Sequence, residues 1–464
     1  MTSRLFVILL IILFLFLRLP SLFEPNWYGD EAIYLTLGWL QRLGFVVYRD
    51  FYDHKPPFIL TLSALLPTLF WAKFFISALL VPTLICFYRL CLIRLTRPFS
   101  RLAVVLLLVF ASLPLLEGNI YNSEIINLCL VIIAIYLYFV RGRLLLPFFV
   151  LGIAFTNKFP ALFDFLFLLL IILVNRSTLR SPKYLVRASV MFLLPTFVFA
   201  FYFALNHALP QFVKSAYLDN YFYISTWHTA GPSLFWRLAI LVFSLVGLRI
   251  LSKHISPKKH LVLWLLAWFL IDLFASLLSS RPYPHYLLQI VPPLVLLVVV
   301  SLSFRSRNYL PIGVGAVFLL GLTFNLYQFY HYSTFSYYRS FYTSALSSNL
   351  APFTSYFGPH VSKIKKLSDS LKSRVPPQST LLLWGDWPQV YQLSSLVPTL
   401  PYITSFHVTS LNARSQAISQ ILASPPTAIA MLKPSPQFDA LYDLVKKFYR
   451  LEVATSDYEI YLRR

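Results

Sequence analysis

Long apolar runs separated by short polar clusters dominate this chain. Residues 5–19, 74–93, 102–116, 125–140, 144–157, 160–174, 188–206, 234–250, 261–278, 286–303 and 309–328 are apolar round the whole helical circumference, which predicts about eleven membrane spans. Several of these runs are short for a full crossing. Two longer segments break the rhythm. Residues 20–73 hold two helix-like stretches, Glu31 to Leu43 and Pro57 to Phe70, whose weaker and more interrupted pattern predicts helices lying at the interface. After about residue 329 the pattern alternates. Strands are expected at Thr380 to Trp384, Thr427 to Leu432 and Tyr458 to Leu462, with helices at Leu411 to Leu422 and Phe438 to Tyr449. The expected fold class is an α-helical polytopic membrane protein over residues 1–328, with a small C-terminal extracytoplasmic α/β domain over 329–464.

Composition sharpens this. Of 464 residues 58% are hydrophobic and 12% charged, too apolar for a soluble surface. A net charge of +22 suits a nucleic-acid binder, but the basic residues sit in short clusters between apolar runs, so no nucleic-acid partner is expected. Placing the N-terminus in the cytoplasm puts Arg4; Arg89, Arg94, Arg97 and Arg101; Arg141 and Arg143; Arg176, Arg180, Lys183 and Arg187; Arg249, Lys253, Lys258 and Lys259; and Arg305 and Arg307 on the cytoplasmic side. No acid joins them; all 17 Asp and Glu fall on the other side or inside a run. This predicts a multi-pass plasma-membrane protein with its first outer loop and its tail outside. The run 5–19 lacks a small-residue cleavage site after it and reads as a retained span. Cys86, Cys91 and Cys129 lie within apolar runs and suggest neither disulfides nor a metal site.

With that orientation, five clusters bring acids and bases to one membrane face. They carry Asp30 and Glu31; Asp50, Asp53, His54 and Lys55; Glu117 and Glu124; Lys158; and Arg281 with His285. Charges near a membrane core are costly and tend to mark function. Cations suit a lipid phosphate, and a carboxylate suits proton removal from an attacking hydroxyl. Structural readings compete at every position. Asp30 fits a helix N-cap and Glu31 a first helical turn. Lys158 has Asp164 within reach as a partner, and Arg281 has Asp272. His285 also reads as a satisfied interfacial histidine. Trp384-Gly385-Asp386 reads as a turn at a strand end. No cluster has metal-ligand spacing, so a divalent metal is not required, and a lysine suffices to neutralise a phosphate.

Several motifs resemble the membrane glycosyltransferases of the GT-C fold, in the branch of protein O-mannosyltransferases and the lipid A aminoarabinose transferase. They are Arg18-Leu-Pro20, Asp30-Glu31-x-x-Tyr34, Gly44-x-x-x-Tyr48-x-Asp50 and His54-Lys55-Pro56-Pro57, followed by Asn122-Ser123-Glu124, Lys158 and Arg281-x-x-x-His285-Tyr286-Leu-Leu-Gln289. Trp384-Gly385-Asp386 with Tyr391 is similar to the outer domain of bacterial members. The chain lacks the Gly and Arg usual midway between Pro57 and the first basic cluster. The resemblance implies inverting transfer of a sugar from a polyprenyl-phosphate donor to a hydroxyl acceptor, on the outer face and among membrane lipids. It makes Asp30 the base with Glu31 in support, and Lys55 the phosphate ligand with Arg281 and His285 as further candidates. Glu124, Tyr34, Asn122 and Lys158 would serve the acceptor or the sugar. The alternatives are a transporter using Asp164 and Asp272 as coupling sites, a lipid-linked glycan flippase, and a ligase moving whole glycans.

Overall fold

The computed structural model describes residues 2–175, 181–224, 231–254, 260–303 and 310–464. Arg176, Arg180, Lys258, Lys259, Arg305 and Arg307 of the basic clusters lie outside the described residues. The chain begins with α1 (Ser3–Arg18), α2 (Gly29–Arg42) and α3 (Pro57–Leu65). Then follow α4 (Leu69–Cys91), α5 (Arg97–Phe110), α6 (Ser123–Phe139), α7 (Leu146–Asn157), α8 (Ala161–Asn175) and α9 (Pro182–Leu205). The short α10 (Leu209–Val213) and α11 (Asp219–Tyr223) precede α12 (Leu234–His254), α13 (His260–Ser276), α14 (Val291–Ser303) and α15 (Leu310–Leu326).

Each expected span is occupied by one of α1, α4–α9 and α12–α15. By length and composition five helical segments among the described residues can cross a bilayer: Ser3–Phe23, Leu69–Cys91, Pro182–Leu205, Leu234–His254 and Pro284–Ser303. Large apolar side chains cover the outside of the bundle, among them Phe201, Phe235 and Phe243, as a lipid-facing surface requires. Several boundaries differ from expectation, and two have a clear local cause. The third span ends at Phe110, because Pro114 opens a 3-10 turn and Glu117 takes a left-handed φ of 52°. The second outer helix ends at Leu65 because Leu66 is extended before Pro67.

Two elements position the site. In α2, Asp30 and Glu31 occupy the first turn, where acids complement the helix dipole, after an extended Tyr28. In α3, Pro57 takes the first position after an extended Pro56. The two helices touch backbone to backbone: a Cβ on Gly38 would overlap the Ser63 carbonyl. Gln41 Nε2 donates to Leu60 O (2.8 Å) across the same contact.

The tail adds α16 (Thr334–Leu346), α17 (Ala351–Tyr356) and α18 (His360–Lys372), then β1 (Thr380–Trp384), α19 (Gln389–Ser394), β2 (Val397–Pro398), α20 (Ser405–Ser410) and α21 (Arg414–Ala423). It closes with β3 (Ala428–Leu432), α22 (Asp439–Phe448), β4 (Tyr449–Ala454) and β5 (Tyr458–Arg463). The sheet runs β2-β1-β3-β5-β4, with β1 parallel to β2 and β3, and β5 antiparallel to β3 and β4. β2 and β4 are additions to the three expected strands. The tail is fastened to the first loop by bonds from Tyr52 N to Pro401 O (2.8 Å) and from Thr36 Oγ1 to Pro388 O (3.1 Å). It is fastened to α1 by Tyr342, whose hydroxyl donates to Phe16 O (2.7 Å).

Candidate active site

A cavity of about 560 Å³ lies where the loop ends of the helices meet the tail. Asp30 enters it from the first turn of α2, and Lys55 from the loop before α3. Lys55 Nζ stands 3.3 Å from Asp30 Oδ1, and the Tyr34 hydroxyl, one turn on, reaches Asp30 Oδ2 at 3.5 Å. The Tyr34 ring lies 5.0 Å beneath the ammonium. The backbone of Lys55 is held at both polar groups: its N–H donates to Asp53 Oδ1 (2.8 Å), and its carbonyl accepts from the Tyr48 hydroxyl (2.5 Å). Burial pushes the Asp30 carboxyl up, but Lys55, His285 and Lys158 together outweigh it and hold Asp30 down at about 2.

A second charged group faces the cavity from α6 and the turn after α7. Glu124 pairs with Lys158, whose ammonium lies 4.0 Å over the Tyr286 ring. Burial, with Lys55 next, lowers the Lys158 pKa well below the ordinary lysine range. Behind them His285 spans two carboxylates: its Nδ1 contacts Glu117 and the Tyr28 hydroxyl (3.2 Å), and its Nε2 lies 3.4 Å from Glu124 Oε1. Arg281 lines the cavity beside them. Lys158 therefore takes Glu124 as partner, and the competing reading that pairs it with Asp164 does not hold. Asp164 accepts instead from Trp268 Nε1 (3.1 Å) and Gln289 Nε2 (3.1 Å). The same amide reaches Asp272 at 3.4 Å, so the competing reading that pairs Asp272 with Arg281 does not hold.

Asp30, Lys55, Glu124, Lys158 and Arg281 thus share one cavity, while four other expected residues do not line it. Glu31 is turned roughly 100° from Asp30 by the helical pitch and is fully buried. It pairs with Lys73 Nζ (2.5 Å) and accepts from Tyr121 N (2.5 Å). Lys73 also binds Glu24 (2.9 Å) and Asn119 O (2.8 Å). Burial, opposed by Lys73 and reinforced by Glu24, raises Glu31 to about 7. Asn122 caps α6, its Oδ1 accepting from Ile125 N (3.2 Å). His285 is held between carboxylates and is not presented to a phosphate. Tyr34 is buried behind Asp30.

Two contributions escape the sequence. Lys73 sits alone in an apolar stretch, and nothing local pairs it with Glu24 and Glu31. The tail supplies Asp386, Phe406 and His407 to the cavity wall. Asp386 does form the expected turn, its Oδ1 accepting from Ser405 Oγ and Phe406 N (both 2.9 Å), and it faces the cavity as well. His54 and His407 stand edge to face with centroids 6.0 Å apart, and burial lowers both, His54 to about 3. Among the described residues no group of three or more His, Cys, Asp or Glu is arranged to hold a metal ion.

No known family profile and no curated protein sequence matches this chain. Solved structures do. ArnT from Cupriavidus metallidurans bound to undecaprenyl phosphate superposes with a TM-score of 0.60 at 14% identity, over 99% of this chain and 98% of that one. The apo state of the same protein gives a TM-score of 0.57 at 14% identity, over 99% and 97%. The chain therefore has the GT-C glycosyltransferase-like fold of that lipid A aminoarabinose transferase, from its first helix to its C-terminal sheet.

Proposed function

We propose that this protein is an inverting glycosyltransferase that moves a sugar from a polyprenyl-phosphate donor to a hydroxyl acceptor at the outer face of the membrane. One observation carries the reading: Asp30 and Lys55 meet at 3.3 Å in a cavity that also receives Lys158 and Arg281. The undecaprenyl phosphate held by the ArnT structure of the same fold supports a donor of this class.

In the resting site Lys55 suppresses the basicity of Asp30. A donor phosphate competes for Lys55 and Arg281, so donor binding weakens that pairing and makes Asp30 a stronger base. The acceptor hydroxyl gives its proton to Asp30 while its oxygen bonds to the anomeric carbon. The bond from that carbon to the phosphate oxygen breaks on the opposite side, and its electron pair leaves with the polyprenyl phosphate. Lys55 and Arg281 stabilise the charge that gathers there. A single displacement inverts the anomeric centre. Glu124 and Lys158 offer an acceptor and donors to sugar hydroxyls. Tyr34 orients Asp30, while Glu31 and His285 hold their neighbours in place and do not touch substrate.

The buried acids Asp164 and Asp272 are what favours a transporter. Purified protein incubated with a polyprenyl-phosphate sugar separates the two. The transferase reading expects polyprenyl phosphate and a glycosylated product by mass spectrometry. Lipid or solute flux across liposomes without any covalent product would overturn it.

A further inference from the structure

The tail closes one side of the cavity with side chains that the transfer step leaves unused. Phe406 keeps 39% of its surface exposed, and it does so at the cavity wall and not at the lipid-facing surface. Its main chain is fixed by Asp386, and the Arg281 guanidinium stands 5.9 Å from its ring. Beside it His407 is 2% exposed, and its buried Nδ1 has no hydrogen-bond partner among the described residues. A buried polar nitrogen calls for a partner, and His407 lines the cavity. The His407 ring is held edge-on by Tyr52 (5.3 Å) and His54 (6.0 Å), and Tyr52 is itself bonded to Pro401. The wall is therefore packed directly against the loop that carries Lys55.

We propose that Phe406 and His407 form the acceptor subsite, and that it takes a sugar ring. This rests on the transferase reading above. A flat apolar ring offers a stacking surface to the C–H face of a pyranose, and a neighbouring imidazole nitrogen takes or gives one hydroxyl hydrogen bond. One aromatic platform with a few placed polar groups is the make-up of a small-molecule site, and about 560 Å³ lies within the usual range for one. A peptide acceptor calls for different walls. Extended peptides pair with a sheet edge, and among the described residues none of β1 to β5 lines the cavity. The tail thus presents the turn after β1 and the start of α20 to the site. Its sheet stays behind them.

The test uses the full chain in lipid nanodiscs with a polyprenyl-phosphate pyranose donor and two acceptors, a methyl glycoside and a serine-containing peptide. Loss of the stacking surface in Phe406→Ala raises the KM for the glycoside roughly tenfold while the donor KM moves less than about twofold. Phe406→Tyr, which keeps the platform, restores the glycoside KM and guards against misfolding as the cause. His407→Ala raises the glycoside KM in the same selective way. An unchanged glycoside KM in Phe406→Ala overturns the subsite, as does equal movement of both KM values. So does efficient transfer to the peptide that Phe406→Ala leaves untouched. Absence of donor turnover in wild type, hydrolysis included, overturns the transferase reading and the subsite with it.

Discussion

Asp30 and Glu31 are adjacent, yet their surroundings drive them in opposite directions. Asp30 pairs with Lys55 at the cavity wall and is held at about 2. Glu31 is buried beside a second carboxylate, with one ammonium between them, and is raised to about 7 from 4.5. The folded protein therefore binds more protons than the unfolded chain between those two values. Its stability from this group falls as pH rises from about 4.5 to 7. Thermal unfolding in detergent across that window should show the decline, and Glu31→Gln should flatten it. At His285 the expectation is structural loss. His285→Ala leaves Glu117 without its ring partner and should cost about 2 kcal/mol, read as a lowered midpoint of unfolding. The sequence marks these residues as charges out of place in an apolar chain. It does not say which of two neighbouring acids turns inward, because that depends on how α2 is rotated against the bundle. Nor does it reveal Lys73, whose partners lie more than forty residues away along the chain.

At the scale of elements, the aim of Asp30 depends on the seat of α2 on α3. Gly38 lies where the two backbones meet, and a methyl group there collides with the Ser63 main chain. Gly38→Ala should push the helices apart at a cost of about 1–3 kcal/mol and lower kcat, although the side chain is remote from the cavity. A variant with wild-type stability and kcat would show that the seat is looser than described. The apolar helices were readable because a run without polar faces has few other uses. The short strand β2 and the edge strand β4 were not, because Val397–Pro398 is only two residues long and Tyr449–Ala454 carries charged and exposed positions. The pairing of Lys158 with Glu124 was also hidden. It requires α6 and α7 to lie side by side, and Asp164 is nearer in sequence.

At the scale of the molecule, the charge pattern and the cavity make one claim about sidedness. The first loop and the tail both line the cavity, and the charge pattern predicts that the acid-free basic clusters face the opposite side of the membrane. Cysteines placed at Ser347 in the tail and at Pro98 in the first turn of α5 check this in intact cells. A membrane-impermeant thiol reagent should label the first directly and the second only after permeabilisation; the reverse pattern would put the site in the cytoplasm. The tail was visible in the sequence as an α/β rhythm, but its contribution to the cavity was not, since a turn after β1 carries no sign of what it will face. The most direct test of the whole account is steady-state sugar transfer by Asp30→Asn in nanodiscs, with a polyprenyl-phosphate sugar and the acceptor that wild type uses. With Asp30 as the proposed base and Lys55 and Arg281 as the proposed donor ligands, the substitution should lower kcat by roughly a thousandfold and leave donor binding in place. Wild-type kcat in Asp30→Asn would contradict the account.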